Sequence, residues 1–301
     1  MIEALRTPAE HFVDLPGYPF APHFLTHQNG LRMHYVDEGQ RDPSAPVFLC
    51  LHGQPSWSYL YRKMIPVFAP HGRVFAPDLF GFGRSDKPID EDIYTIEFHR
   101  NALIEYIETL DLQNITLVCQ DWGGLLGLTI PYQMPERFTR LIIMNTAFPT
   151  GEHSLGAGFE AWKAYNRSQP DLDIAQLFLR GTPSLSEREA AAYGAPYPSV
   201  EYKAGVRRFP ELVPTSISSP GSDYGRAGRD WFRDDWAGES FMAIGAADPV
   251  LTPAVMHSLR ANIRGCPEPL IIEAAGHFVQ ESGEEVAVAA LRAFGVTLAA
   301  A

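Results

Sequence analysis

Short apolar runs recur along this chain, and none of them alternates polar with apolar residues. Strands covered on both faces of a sheet have this pattern, because neither face meets water. Between the runs, apolar residues return at helical spacing, most clearly within residues 97–111. Strands that alternate with helices predict an α/β fold with a mostly parallel central sheet flanked by helices. The runs lie at residues 47–51, 73–77, 117–119, 141–144, 241–244 and 269–272.

The alternation is interrupted after Asn145. Residues 148–215 contain helical pieces, prolines and aromatic side chains, but no run typical of a buried strand. The sequence therefore predicts an inserted α-helical cap domain at 148–215. The core domain is then made of residues 1–147 and 216–301. Because ligands of open α/β sheets bind at the carboxyl ends of the strands, we expect the cap to cover that edge.

Composition limits the partners of the protein. The formal net charge of the 301 residues is −12, whereas nucleic acid and anionic membrane surfaces are bound by basic faces. We therefore expect neither partner. The three cysteines show no paired spacing and the N-terminus has no apolar signal segment, so the expected location is cytoplasmic. Residues 286–301 are too short to span a bilayer and predict a C-terminal packing helix.

Residues 119–124 join the apolar run at 115–118 to the start of a helix. A strand, a tight turn with small residues and a helix form the context of a nucleophile elbow, and Asp121 is at its tip. A carboxylate is ionised near neutral pH and can displace a leaving group from saturated carbon, which forms an ester. The competing interpretation is that Asp121 caps the helix that follows it.

Two further polar residues follow later apolar runs. Asp248 comes soon after the run at 241–244, and His277 comes after the last run. A histidine there can act as a general base, and an aspartate can orient it. The chain order of Asp121, Asp248 and His277 is the order that α/β-hydrolases use. Taken singly, His277 can also be a structural histidine and Asp248 a turn residue before proline.

The loop at residues 52–55 follows the first run. In folds of this kind it supplies one main-chain N–H of an oxyanion hole, and the residue after the nucleophile supplies the other. Those donors would be Gln54 and Trp122, although a plain turn also explains the loop. No G-x-S-x-G, H-E-x-x-H or C-x-x-C motif occurs, so the sequence supports neither a serine esterase nor a metal site.

These residues together resemble the haloalkane dehalogenase family of α/β-hydrolases. The likeness extends over nearly the whole chain. The cap stretch 158–163 is similar to the subfamily whose second halide-binding tryptophan comes from the cap. Asn145 stands where another subfamily keeps its acid, which supports Asp248 as the third triad member. The other matching stretches are 52–59, 77–88, 120–124 and 276–278.

The resemblance implies a mechanism for a small halogenated alkane that uses no cofactor and no metal. Asp121 would attack the carbon, and Trp122 and Trp162 would bind the departing halide. His277, oriented by Asp248, would then activate water. Gln54 stands where the family usually has Glu or Asn. The residues expected to line the apolar pocket are Phe159, Phe209, Pro210 and Val213, for which ordinary lid packing is the alternative.

Three other functions fit parts of this pattern. An epoxide hydrolase of the same fold would use the same aspartate together with cap tyrosines, for which Tyr165, Tyr193, Tyr197 and Tyr202 are candidates. A fluoroacetate-type dehalogenase would need a basic residue where Trp122 stands. A ligand-sensing scaffold would keep the fold without the chemistry. Trp162 can also be a packing residue between cap and core.

Overall fold

The computed structural model describes residues 2–298, and its centre is a twisted, mostly parallel sheet. The strands, in chain order, are β1 (Ala4–Leu5), β2 (His23–Thr26), β3 (Arg32–Gly39), β4 (Val47–Leu51), β5 (Arg73–Pro77), β6 (Lys87–Pro88), β7 (Ile115–Cys119), β8 (Phe138–Met144), β9 (Glu239–Gly245) and β10 (Leu270–Ile272).

Eight of these strands form the main sheet in the order β10-β9-β8-β7-β4-β5-β3-β2, and β1 pairs with β6 separately. The neighbours from β10 to β5 are parallel, while β3 and β2 are added antiparallel at one edge. The middle strand β7 is buried along its whole length, in agreement with its unbroken apolar sequence.

Helices cover both faces of the sheet. They are α1 (Ile65–Phe68), α2 (Ile96–Thr109), α3 (Trp122–Gly127), α4 (Ala157–Ser168), α5 (Ile174–Gly181), α6 (Glu187–Gly194), α7 (Ala204–Leu212), α8 (Ser222–Asp234), α9 (Pro253–Arg260) and α10 (Gly283–Ala293). The helix predicted within 97–111 is α2, which begins where Thr95 Oγ1 accepts a hydrogen bond from the Phe98 N–H. Within residues 2–298, no helix combines the length and apolar character needed to cross a bilayer.

The predicted α/β fold is confirmed, since each of the six apolar runs lies in a strand of the main sheet. The sequence did not predict β2 and β3. Strand β3 carries two buried polar residues, His34 and Asp37, whose side chains contact Asp78 and Arg73. Such long-range pairing leaves no local apolar pattern.

The C-terminal helix differs from its predicted range. Helix α10 begins three residues before Val286 and ends at Ala293, and its apolar face is buried against the core. The last part of the predicted range, residues 299–301, lies outside the described residues.

The order of the strands determines where a site can form. Strand β5 follows β4 on one side, and β7 then pairs with β4 on the other side, so the order reverses between β4 and β7. Ligands of open α/β sheets bind at such a reversal, beyond the carboxyl ends of the strands. The residues that follow β4, β7, β8, β9 and β10 at this edge include Gln54, Asp121, Asn145, Asp248 and His277.

Candidate active site

Asp121 lies at a strained turn between β7 and α3. Its φ of 50° and ψ of −126° are unusual for a residue with a Cβ, and such strain persists only where the surroundings hold it. The Asp121 N–H donates to the Asn145 carbonyl at 2.8 Å, and the Thr146 hydroxyl donates to the Asp121 carbonyl at 2.7 Å. Gly123 is required here because a Cβ at that position would meet the Leu51 carbonyl.

The carboxylate of Asp121 does not cap helix α3, so the competing interpretation of this residue is wrong. Its Oδ1 instead accepts a hydrogen bond from the Gln54 main-chain N–H at 2.7 Å. Burial raises the pKa of Asp121, while His277 and the N–H groups of Trp122 and Gln54 oppose that shift. The two predicted oxyanion donors therefore already face this carboxylate in the resting site.

His277 lies between two carboxylates. Its Nδ1 is 2.9 Å from Asp248 Oδ2, and its Nε2 is 3.6 Å from Asp121 Oδ2. Burial by itself lowers the pKa of His277, but Asp248 and then Asp121 outweigh it and raise the pKa to about 9. The structure thus brings the three predicted triad positions together in the arrangement of nucleophile, base and orienting acid.

Asp248 is held in place from several directions. Its Oδ1 accepts hydrogen bonds from the main-chain N–H groups of Val250 at 2.8 Å and Leu251 at 3.1 Å. Its Oδ2 accepts one from Asn145 Nδ2 at 3.0 Å. Burial opposes the ionisation of Asp248, but His277 and the main-chain N–H groups of Val250 and Leu251 outweigh it and lower its pKa. The carboxylate therefore stays charged and oriented toward the imidazole.

Gln120 contacts the site although the sequence did not single it out. Its side chain is fully buried, and its Nε2 lies 3.0 Å from both His277 Nε2 and the His277 carbonyl oxygen. A polar residue directly before the tip of the turn was the available signal. Its partner, however, is 157 residues further along the chain.

A cavity of about 190 Å³ opens beside the carboxylate of Asp121. Side chains from α4, α5 and α7 form one wall, and the loops after β4, β7, β9 and β10 form the other. The lining is mostly apolar. Among the described residues, its polar side-chain groups come only from Gln54, Asp121, His277 and two tryptophans. The remaining lining residues are Pro55, Leu125, Leu155, Phe159, Leu177, Gly181, Pro210, Val213, Ala247, Pro249, Val250, Leu251, Gly276 and Phe278.

Those two tryptophans are Trp122 and Trp162. The other buried tryptophans have hydrogen-bond acceptors, since Trp57 Nε1 donates to the Ala192 carbonyl and Trp236 Nε1 donates to Ser240 Oγ. Within residues 2–298, neither Trp122 Nε1 nor Trp162 Nε1 has such a protein acceptor, and both residues line the cavity. Two N–H donors are thus free to bind an anion in a largely apolar space.

The residues predicted to line the pocket do so with one exception. Phe159, Pro210 and Val213 lie on its wall. Phe209 was placed there incorrectly, because it is fully buried behind Trp122, with the two ring centroids 4.7 Å apart. Helix α7 turns this residue toward the core while its neighbour Pro210 faces the cavity, a distinction that spacing alone did not reveal.

The side chains that an epoxide hydrolase or a fluoroacetate-type dehalogenase would require are not found among the described residues of the cavity lining. No tyrosine, lysine or arginine is among its described lining residues. The Tyr193 hydroxyl donates to Glu281, and the Tyr197 hydroxyl donates to the Pro55 carbonyl. Over the same described range, no group of His, Cys, Asp and Glu side chains is arranged to hold a metal ion.

Comparisons with known proteins agree on one family. A family profile described as the alpha/beta hydrolase fold matches residues 46–284. The chain is 43% identical to the haloalkane dehalogenase of Psychrobacter cryohalolentis, with 95% of this chain and 96% of that protein covered. It is 41% identical to the haloalkane dehalogenase of Mycolicibacterium paratuberculosis, with coverage of 95% and 96%.

A solved structure shows the same similarity in three dimensions. The tetrameric haloalkane dehalogenase of Paraglaciecola agarilytica is 52% identical and superposes with a TM-score of 0.94, with 97% of this chain and 98% of that chain covered. The similarity therefore includes both the sheet and the helices that line the cavity.

Proposed function

This chain belongs to the haloalkane dehalogenase family of α/β-hydrolases, and we propose that it releases halide through a covalent ester on Asp121. One observation carries the proposal. Asp121 Oδ1 is held by the Gln54 N–H, while Oδ2 remains near His277 at the wall of an apolar cavity with two unpaired indole N–H groups.

The first step is a displacement at the halogen-bearing carbon. Asp121 Oδ2 forms a bond to that carbon, the carbon–halogen bond breaks, and the halide leaves with the electron pair. Trp122 and Trp162 donate their indole N–H groups to the departing anion. Hydrogen bonds to an anion are about twice as strong as neutral ones, and they gain further strength where water is excluded.

The second step hydrolyses the ester. His277 Nε2 takes a proton from water, whose oxygen attacks the carboxyl carbon of Asp121. The oxyanion that forms at Oδ1 rests on the main-chain N–H groups of Gln54 and Trp122, and loss of one such donor typically slows a reaction about 100- to 1000-fold. Collapse releases the alcohol and restores the carboxylate, and the proton passes from His277 to solvent.

The side chain of Gln54 has a separate role in this scheme. Its Nε2 donates to the Val206 carbonyl at 2.9 Å, which attaches it to the cap side of the cavity. The amide oxygen is then the polar atom left to accept a hydrogen bond from the hydrolytic water. A glutamine can therefore serve at this position, where the family usually has Glu or Asn.

We also propose that residues 148–215 act as a cap domain over the core formed by 1–147 and 216–301. The cap helices contribute Phe159 and Trp162 from α4, Leu177 from α5 and Pro210 from α7 to the cavity wall. These side chains exclude water from the reacting carbon, while the core supplies the groups that react.

A single-turnover experiment in heavy-oxygen water tests the ester. With excess enzyme and 1,2-dibromoethane, the label should enter the side chain of Asp121, because water attacks the carboxyl carbon rather than the alkyl carbon. Peptide mass analysis locates the label. Label found in the alcohol from the first turnover, with none at Asp121, would contradict the mechanism.

Epoxide hydrolysis is not favoured. It would require tyrosine hydroxyls facing the substrate, and those of Tyr193 and Tyr197 are directed to Glu281 and Pro55 instead. The curated relatives are haloalkane dehalogenases over 95% of this chain. We expect bromide from 1,2-dibromoethane and no diol from styrene oxide.

A further inference from the structure

The orientation of the Gln120 amide follows from its contacts. The His277 carbonyl oxygen can only accept a hydrogen bond, so the atom 3.0 Å from it must be the amide nitrogen. The amide oxygen, Oε1, is buried and has no partner among the described residues. A flipped amide would place that oxygen against the carbonyl, so the observed orientation is the favourable one.

The same amide nitrogen lies 3.0 Å from His277 Nε2. A donor in that position favours an imidazole whose Nε2 carries a lone pair and whose proton is on Nδ1, facing Asp248. An imidazolium would direct an Nε2–H toward an N–H donor, which is repulsive. Gln120 therefore supports the one protonation state of His277 that can act as a base.

The other polar groups around the ring act in the opposite direction. Asp248, after β9, and Asp121, after β7, are the charged groups that act on the imidazole, and both favour its protonation. Gly181 of α5, Gly276 and Phe278 lie around the same end of the cavity and bring no charge. Among these groups, Gln120 alone opposes the two carboxylates by a directed hydrogen bond.

We propose that Gln120 is a positioning residue that keeps His277 Nε2 in its unprotonated form during ester hydrolysis. Water that enters the cavity can donate a hydrogen bond to the lone pair of His277 Nε2 in place of Gln120. The amide nitrogen of Gln120 is not left unpaired, because it still donates to the His277 carbonyl oxygen. After proton transfer, repulsion between the two N–H groups favours release of the proton to solvent. This inference rests on the proposed function of His277.

Two substitutions test the inference through the pH dependence of turnover. Gln120→Leu removes the donor at similar size, and Gln120→Glu replaces the donor with a charge that stabilises the imidazolium. We expect the acid limb of kcat to move to higher pH by about one unit in Gln120→Leu, since a neutral hydrogen bond contributes about 1 kcal/mol. In Gln120→Glu it should move further.

Bromide release from 1,2-dibromoethane is the readout, with intact mass reporting the ester. Both variants should keep the first burst of bromide, which requires no base, and accumulate ester at a pH where the parent protein does not. A preserved burst also shows that a variant is folded. Gln280→Leu is the matched control: it removes another fully buried amide, on the segment after β10 that also carries His277, and this amide makes no hydrogen bond to His277.

The outcomes separate the two proposals. If the parent protein gives no bromide burst and no ester, the proposed function fails. If the parent turns over and both Gln120 variants keep its pH profile, the proposed function stands and the role of Gln120 is refuted. An equal shift in Gln280→Leu would also refute that role, because it would reflect a loosened loop and not the donor.

Discussion

Asn145 donates its side-chain amide to Oδ2 of Asp248 at 3.0 Å, the same oxygen that faces Nδ1 of His277. The amide nitrogen of Asn145 also reaches the carbonyls of Gly245 and Leu251, and its oxygen accepts the Gly245 N–H. One side chain thus joins the end of β8 to β9 and holds the carboxylate of Asp248, the proposed triad acid. An amide serves here because a second carboxylate would repel Asp248.

We expect Asn145→Ala to lower the free energy of unfolding by about 2–3 kcal/mol, because it leaves buried main-chain groups unpaired. Urea denaturation measures the change. Turnover should also fall, since Asp248 loses one of the donors that orient it. Thr139→Ala, near the exposed start of the strand β8 that Asn145 follows, is the control and should change stability far less. Equal stability of parent and Asn145→Ala would contradict this account.

Removal of the base should stop the reaction at the ester. In His277→Ala, Asp121 can still displace bromide, but no group remains to activate water. We expect one equivalent of bromide per active site and an intact mass increased by the alkyl group. Continued turnover without an adduct would show that His277 is not the base.

Loss of an indole donor should weaken halide binding. Trp162→Phe and Trp122→Phe each remove an N–H that has no protein acceptor, and a hydrogen bond to a charged group contributes about 1.5–3 kcal/mol. We expect the Kd for bromide to rise about 10- to 100-fold, measured by quenching of tryptophan fluorescence. Trp231→Phe is the control, because Trp231 lies outside the cavity lining. Unchanged quenching in Trp162→Phe would assign that residue to packing alone.

The rate of ester hydrolysis should depend on the charge of His277. Asp248 and Asp121 raise the pKa of the resting imidazole to about 9 despite its burial. A protonated imidazole cannot accept a proton, so hydrolysis falls as pH falls through the pKa. In the ester, Asp121 carries no charge and no longer raises the pKa of His277. The acid limb of ester hydrolysis should therefore lie below pH 9.

Replacement of Asp248 should reverse part of the rise in the pKa of His277. Asp248→Asn removes the carboxylate that raises the pKa of His277 most. We expect the acid limb of kcat to move to lower pH, while the maximal rate falls because the imidazole is no longer held in the productive tautomer. A limb displaced to higher pH would be inconsistent with this electrostatic assignment.

A buried ion pair joins the core to the cap side. Arg62 donates to Glu281 at 2.6 and 2.8 Å, and Tyr193 of α6 donates to the same carboxylate. Burial opposes the ionisation of Glu281, but Arg62 outweighs it and lowers its pKa. This stabilisation is present at neutral pH and is lost as pH falls through the lowered pKa.

We expect Arg62→Met to lower the free energy of unfolding by about 3 kcal/mol at neutral pH, because it leaves a buried carboxylate poorly paired. At acid pH, thermal melts should show a smaller difference in Tm between Arg62→Met and the parent protein. Arg41→Met removes an exposed arginine from Asp37, which keeps its pair with Arg73, and should cost about 0–1 kcal/mol. If both variants lose the same free energy of unfolding, the buried pair of Arg62 and Glu281 stabilises the protein no more than the contact made by Arg41.

The sequence alone predicted the features of this protein that depend on neighbouring residues. Six unbroken apolar runs predicted the parallel strands, because a strand covered on both faces needs no polar partner. The small residues around Asp121 predicted its turn, and the positions of Asp248 and His277 after later strands predicted that they would meet at one edge. Parallel strands bring their carboxyl ends to the same side, so chain order was enough.

Tertiary structure alone decided the features that depend on distant partners. The buried polar residues of strand β3, His34 and Asp37, contact Asp78 and Arg73 far along the chain, and Phe209 packs against Trp122 from helix α7. The contact between Gln120 and His277 forms only when β7 and β10 are in one sheet. An apolar side chain favours burial wherever it lies in the chain, so a local pattern can predict it. A hydrogen bond across the fold forms only between two residues that the tertiary structure brings together, so no local pattern predicts it.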